Sequence, residues 1–198
     1  MTVTVTADPA GKLSAEISGD DPEKLDFVNK GRIVRTGFSA IRPTVLPDMP
    51  LDLSYKPMHL TLQIPSLELT TEIVNVPEVD GEHPVTWLGD NAGLLEDYGQ
   101  PGDGRMYLAG HNHLSDTEAG PFAFLMWMEE GDRIFVTDQN NGLQLYTVYA
   151  NEKIDEDDVD GLDRISMEYE NSITLITCED EYEPGHYLSR RIIAARPL

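Results

Sequence analysis

Only one cysteine occurs in the 198 residues, so no internal disulfide can form and a disulfide-stapled scaffold is excluded. A lone thiol is compatible with either redox compartment. Cations are scarce as well: 14 Lys and Arg stand against 36 Asp and Glu, a formal net charge of −22. That balance excludes nucleic acid and anionic lipid as partners, since both repel such a surface, and it slows encounter with acidic substrates. No run reaches the roughly 18–20 apolar residues of a membrane span. The start, Met1-Thr2-Val3-Thr4-Val5-Thr6, lacks the basic residues and apolar stretch of a signal peptide. No internal repeat is evident.

The hydrophobic share is an ordinary 40%, and the length suits one domain with an added segment. Residues 1–56 read as an N-terminal appendage and linker. Val3 and Val5 alternate with threonines, as in a short strand or extended arm. Asp20-Asp21-Pro22-Glu23 is a helix start, with acids at the positive end of the dipole, and predicts a short helix to about Asn29. Pro43, Pro47 and Pro50 make Ile41–Leu53 an extended linker.

From residue 57 the pattern turns to strands. They are expected at Leu60–Ile64, Leu69–Val76, Arg105–Gly110, Arg133–Thr137, Leu143–Ala150, Ile173–Thr177 and Leu188–Arg196. Asn141-Gly142 favours a tight turn between the fourth and fifth of these. Phe122, Leu125 and Met126 predict a helix over Pro121–Glu130 that stops at Gly131, and one helical turn is expected at Leu94–Tyr98. Many short strands with few short helices predict a mainly β fold, a small closed barrel over residues 57–198.

The single thiol, Cys178, ends the apolar run Thr174-Leu175-Ile176-Thr177, where a strand exit can present a reactive group. A buried, inert cysteine is the plainer alternative. Upstream lies Ala109-Gly110-His111-Asn112-His113, and downstream Ser189-Arg190-Arg191. A thiol, an imidazole and a guanidinium are the groups that cysteine acyl transfer needs: nucleophile, base and fixed positive charge. His111 and His113 both qualify, and their spacing on a strand would also suit two metal ligands, though no Cys or His cluster accompanies them. Arg190 and Arg191 would face opposite ways on a strand, so only one can reach the thiol. The acids Glu179-Asp180-Glu181 follow the cysteine directly and are expected to raise its pKa.

Taken together, Thr174–Cys178 resembles the TLxTC signature of sortases, the cysteine transpeptidases of bacterial cell surfaces. Ala109-Gly110-His111 is similar to the stretch holding their catalytic histidine. Arg190 matches their catalytic arginine, and Ile64-Pro65 resembles a motif near the start of their core. The resemblance spans roughly residues 57–198. It implies an eight-stranded sortase-like barrel and a catalytic set of His111, Cys178 and Arg190. Thr177, His113, Leu162 and Ile165 would touch substrate, the last two from the loop before the Cys178 strand.

The implied reaction is cleavage of an LPxTG-like sorting signal on a secreted protein through a thioacyl-enzyme. The acyl group then passes to an amine of a cell-wall precursor or a pilin lysine. Location at the extracellular face of the bacterial membrane follows, with an anchor expected in the full-length protein. No cofactor is required, although Asp155, Asp157 and Asp158 in the acidic stretch 152–170 offer weak calcium binding. That stretch lacks the ligand spacing of a calcium loop and reads as solvated.

The resemblance favours class A, D or E over the pilin type. Leu46-Pro47-Asp48 echoes the start of a sorting signal but continues Met49-Pro50, as a proline linker would. The competing function is a non-catalytic or lid-inhibited barrel that only binds peptides.

Overall fold

The computed structural model describes residues 2–7, 13–18 and 48–198, apart from 97, 116, 141, 184 and 185. The chain divides into two compact units, Met1–Gly31 and Arg32–Leu198. In the first, strands β1 (Thr2–Ala7) and β2 (Leu13–Ser18) form an antiparallel hairpin in which Val3 faces Ile17 and Val5 faces Ala15. The threonine–valine alternation foretold β1 but not its partner. The predicted helix from Asp20 lies outside the described residues, as do Leu46 and Pro47.

The second unit contains β3 (Lys56–Ile64), β4 (Leu69–Val76), β5 (Ala92–Leu95) and β6 (Met106–Ala109), then a small ribbon of β7 (His113–Ser115) and β8 (Glu118–Ala119). There follow β9 (Arg133–Asp138), β10 (Leu143–Asp155), helix α1 (Val159–Ser166), β11 (Ile173–Glu183) and β12 (His186–Pro197). Eight strands close into a barrel in the order β3-β4-β5-β6-β11-β12-β10-β9. The β4–β5 and β6–β11 pairs are parallel, and the others antiparallel.

Period-2 alternation sorts the side chains into two apolar clusters. Leu62, Ile73, Leu108, Ile134, Leu175 and Ile193 fill the interior with their neighbours. On β6, β11 and β12 the outward residues are apolar too: Tyr107 and Ala109, Ile176 and Cys178, Ile192 and Ala194. Leu162 and Ile165 of α1, with Val85 and Leu88, pack over them. Strands buried on both faces need continuous apolar runs, which is why Thr174–Cys178 and Ile192–Ala195 do not alternate with polar residues.

Several segments differ from the sequence expectation. Pro121–Glu130 is not an α-helix but a turn followed by a 3-10 turn at Leu125–Trp127. Phe122, Ala123, Leu125 and Met128 are the buried residues there; the large ones, Phe122, Leu125 and Met128, follow a three-residue period that suits the tighter helix, while Met126 is exposed. Leu94 and Leu95 belong to β5 rather than to a helical turn.

The acidic stretch, read as a solvated loop, contains α1. Asp158 accepts a hydrogen bond from the Gly161 N–H at 2.8 Å and caps the helix, and Leu162 and Ile165 supply its buried face. Burial of those two side chains contributes roughly 1.5–3 kcal/mol each. His83 is buried, with Nε2 2.9 Å from the Glu96 carbonyl.

Arg191, on the face of β12 away from the thiol, is held in a polar network. Its Nε and Nη2 donate to the two carboxylate oxygens of Glu179 at 2.5 and 2.6 Å, and Nη1 donates to Asn151 Oδ1 at 3.0 Å. Asn151 Nδ2 in turn donates to the Met128 carbonyl at 2.7 Å. This network joins β10, β11 and β12 to the 125–128 segment. Replacing Arg191 by Met leaves Glu179 unpaired. We expect a loss of about 3 kcal/mol by urea unfolding, and partial recovery in the Arg191→Met, Glu179→Leu double variant. A single-variant loss below about 0.5 kcal/mol would contradict the pairing's structural role.

Candidate active site

The site forms where three strands of the barrel meet. Cys178 on β11 stands directly opposite Arg190 on β12 in the antiparallel register, and both point to the outer face. On its other side β11 runs parallel to β6, with Ile176 level with Ala109. The Gly110 N–H continues that ladder to the Ile176 carbonyl at 3.1 Å, so the chain brings His111 alongside Cys178. Asn112 Nδ2 donates to the Cys178 carbonyl at 2.6 Å and ties the histidine segment to the thiol's own backbone.

The course of the His111 segment demands two glycines. A Cβ at Gly110 would strike the Phe122 ring at 2.5 Å, and one at Gly120 would run into the His111 backbone. With no side chain at either position, the Phe122 N–H reaches the His111 carbonyl at 3.0 Å and the Gly120 N–H reaches the Asn112 carbonyl at 2.7 Å. The histidine is therefore fixed at its backbone from both sides.

Arg190 is 2% exposed. Its Nη1 donates to the Ser189 carbonyl at 3.0 Å, and its Nη2 meets Glu156 Oε2 at 3.4 Å. Cys178 is 8% exposed. Burial pushes its thiol up to about 11; the Arg190 guanidinium pulls the value down and the Glu156 carboxylate pushes it up. The direction agrees with expectation, but the cause does not. Glu179 turns to the opposite face and is held by Arg191. Asp180 has a left-handed φ of 56°, and its carboxylate meets Lys153 Nζ at 2.8 Å and Ser189 Oγ at 3.0 Å. Both acids are neutralised away from the thiol, and burial dominates.

The remaining candidates scatter. Thr177 shares the face of Arg191, opposite Cys178, and its buried hydroxyl has no hydrogen-bond partner. His113 begins β7, half-buried, with Nδ1 unpartnered. Leu162 and Ile165 are buried in the same outer cluster as Cys178. Asp155 ends β10 opposite Ser189, while Asp158 is engaged as the α1 cap. Among the described residues no three His, Cys, Asp or Glu side chains are grouped to hold a metal ion. Asn112 and Glu156 carried no distinguishing signal in sequence: one is a residue between two histidines, the other one acid among many.

A buried thiol, a guanidinium across the strand and an imidazole-bearing segment on a β-barrel are the groups that cysteine acyl transfer uses. The sortase-domain family model matches residues 62–198, and the chain belongs to the sortase family of transpeptidases. Solved structures share the fold. Sortase A of Listeria monocytogenes is 24% identical, with a TM-score of 0.52 over 71% of this chain and 86% of its own. Sortase E1 of Streptomyces coelicolor, solved with a tripeptide in its active site, is 22% identical, with a TM-score of 0.55 over 72% and 88%. Clostridium perfringens sortase C, solved with the C-terminal cell wall sorting motif, is 20% identical, with a TM-score of 0.54 over 90% and 91%. No curated protein matches the chain.

A raised thiol pKa has a definite sign. The buried thiol favours the protonated form, so its contribution to stability is intact below the unfolded value near 8.5 and is lost as pH rises toward about 11. Iodoacetamide alkylation of Cys178 in the substrate-free protein should therefore rise about tenfold per unit through pH 8–9 without levelling off. A plateau below pH 8 would contradict the burial effect.

Proposed function

We propose that this sortase cleaves an LPxTG-like sorting signal and transfers the acyl part to an amine at the bacterial cell surface. The observation that carries the reading is the register that sets Cys178 opposite Arg190, with His111 alongside. Cys178 Sγ bonds to the carbonyl carbon of the scissile peptide while its proton passes to His111. Arg190, buried and positively charged, stabilises the developing oxyanion or the neighbouring peptide carbonyls. The C–N bond then breaks, and His111 returns the proton to the leaving amine. A second amine attacks the thioester, its proton goes to His111, and the thiol is regenerated.

Because the resting thiol is protonated, this route uses His111 as an acceptor during attack rather than a preformed thiolate. Slow turnover follows, since proton removal from a buried, raised-pKa thiol must accompany the attack. The Streptomyces relative with a tripeptide in its active site and the Clostridium relative with a cell wall sorting motif support a peptide as substrate. The acidic surface supports a cationic amine, from a cell-wall precursor or a lysine, as acceptor. Among the described residues no helix is long and apolar enough to cross a membrane, so a cell-surface location rests on family membership.

The test is cleavage of quenched LPxTG-type peptides with and without an added amine. Cys178→Ala should abolish cleavage, His111→Ala should reduce kcat by about 10²–10⁴, and Arg190→Ala by about 10²–10³. Amine should divert the product from hydrolysis to transfer. Equal cleavage by wild type and Cys178→Ala would overturn the reading.

A further inference from the structure

Arg190 is held from outside its own strand by Glu156, a residue in the turn between β10 and α1. The Glu156 N–H donates to the Leu188 carbonyl at 3.1 Å, one step beyond the last β10–β12 pair, Asp155 with Ser189. The turn is thus pinned to the strand that carries Arg190. From there the carboxylate reaches Nη2, while the Ser189 carbonyl takes Nη1. A guanidinium is planar, so separate acceptors on its two Nη nitrogens fix its tilt as well as its position. The pair is asymmetric in exposure: the arginine side chain is 3% exposed and the glutamate 36%.

We propose that Glu156 is a positioning residue for acyl transfer, whose carboxylate holds the Arg190 guanidinium in its working plane beside Cys178. The inference rests on the proposed role of Arg190 in the reaction. Without Glu156 the guanidinium loses the carboxylate that meets Nη2 from outside its own strand, and displacement at a site of developing charge is costly. The carboxylate also adds a negative charge near the thiol.

The charges that act on the thiol are Arg190 from β12 and Glu156 from the turn; His111 lies in the segment after β6, and the phenols of Tyr107 on β6 and Tyr187 on β12 share the outer cluster with Cys178. Glu179, Asp180, Arg191 and Lys153 are paired with one another on the opposite face. A change at Glu156 therefore alters the thiol's surroundings by one identifiable charge.

Two variants separate geometry from charge. Glu156→Gln keeps an oxygen that can accept from Nη2 but loses the charge; Glu156→Ala loses both. With the quenched LPxTG-type peptide that wild type cleaves best, Glu156→Ala should lower kcat about tenfold with KM within about twofold, and Glu156→Gln should lower it less. Glu156→Gln should move the iodoacetamide profile of Cys178 to lower pH, because it removes a negative charge and leaves the guanidinium in place; Glu156→Ala should move it less, because displacing Arg190 withdraws the charge that lowers the thiol. Wild-type or higher kcat in Glu156→Ala would overturn the proposal. So would equal losses in the two variants with an unmoved thiol profile.

Failure of the underlying reading looks different: no Cys178-dependent cleavage by wild type, or full activity in Arg190→Ala. In that event the guanidinium NMR signals of Arg190 decide. Altered signals in Glu156→Ala support the anchor, and unchanged signals together with an unmoved thiol profile overturn it.

Discussion

The registers of β11 against its two neighbours are the constraint on which the site depends. Against β12, antiparallel pairing sets Cys178 opposite Arg190; against β6, parallel pairing delivers His111 to the same level. A slip of one residue on β12 would present Arg191 in place of Arg190 and flip every side chain to the other face. The cores on both sides prevent that slip. Leu175 and Ile193 belong to the interior, Ile176 and Ile192 to the outer cluster, and all four are fully buried. The Arg191–Glu179 pair adds a polar lock on the interior side.

This architecture explains why the thiol is both placed and restrained. The covering of β6, β11 and β12 by α1 and the Val85–Leu88 segment makes the outer face dry. Dryness fixes Cys178 but disfavours its thiolate, so the proposed chemistry needs a neighbouring base and a buried cation. Glu179 and Asp180 do not add to that restraint, because strand alternation sends Glu179 to Arg191 and the left-handed backbone at Asp180 sends its carboxylate to Lys153.

The barrel was legible where alternation or continuous apolar runs were strong, as at Leu69–Val76 and Thr174–Cys178. Strand ends were less so: β10 and β11 run on to Asp155 and Glu183 through polar residues that cross-strand pairing, not propensity, holds extended. Phe122, Leu125 and Met126 suggested an α-helix because apolar spacing cannot separate a 3.6 from a 3.0 period over two turns. Helix α1 was hidden by acids, whose capping role at Asp158 appears only once Gly161 is seen to approach it. The thiol, the histidine segment and the arginine could be named from sequence because each sits in a recognisable run. Glu156 and Asn112 could not, since their significance lies in partners distant along the chain.

Trapping the covalent intermediate tests the central claim most directly. Wild-type protein is mixed with an LPxTG-type peptide, quenched in acid and measured by intact and peptide-level mass spectrometry. The account predicts an adduct with the mass of the peptide's N-terminal acyl portion, located on Cys178 and discharged by added amine. Cleavage of the peptide without any adduct on Cys178, and undiminished in Cys178→Ala, would contradict it.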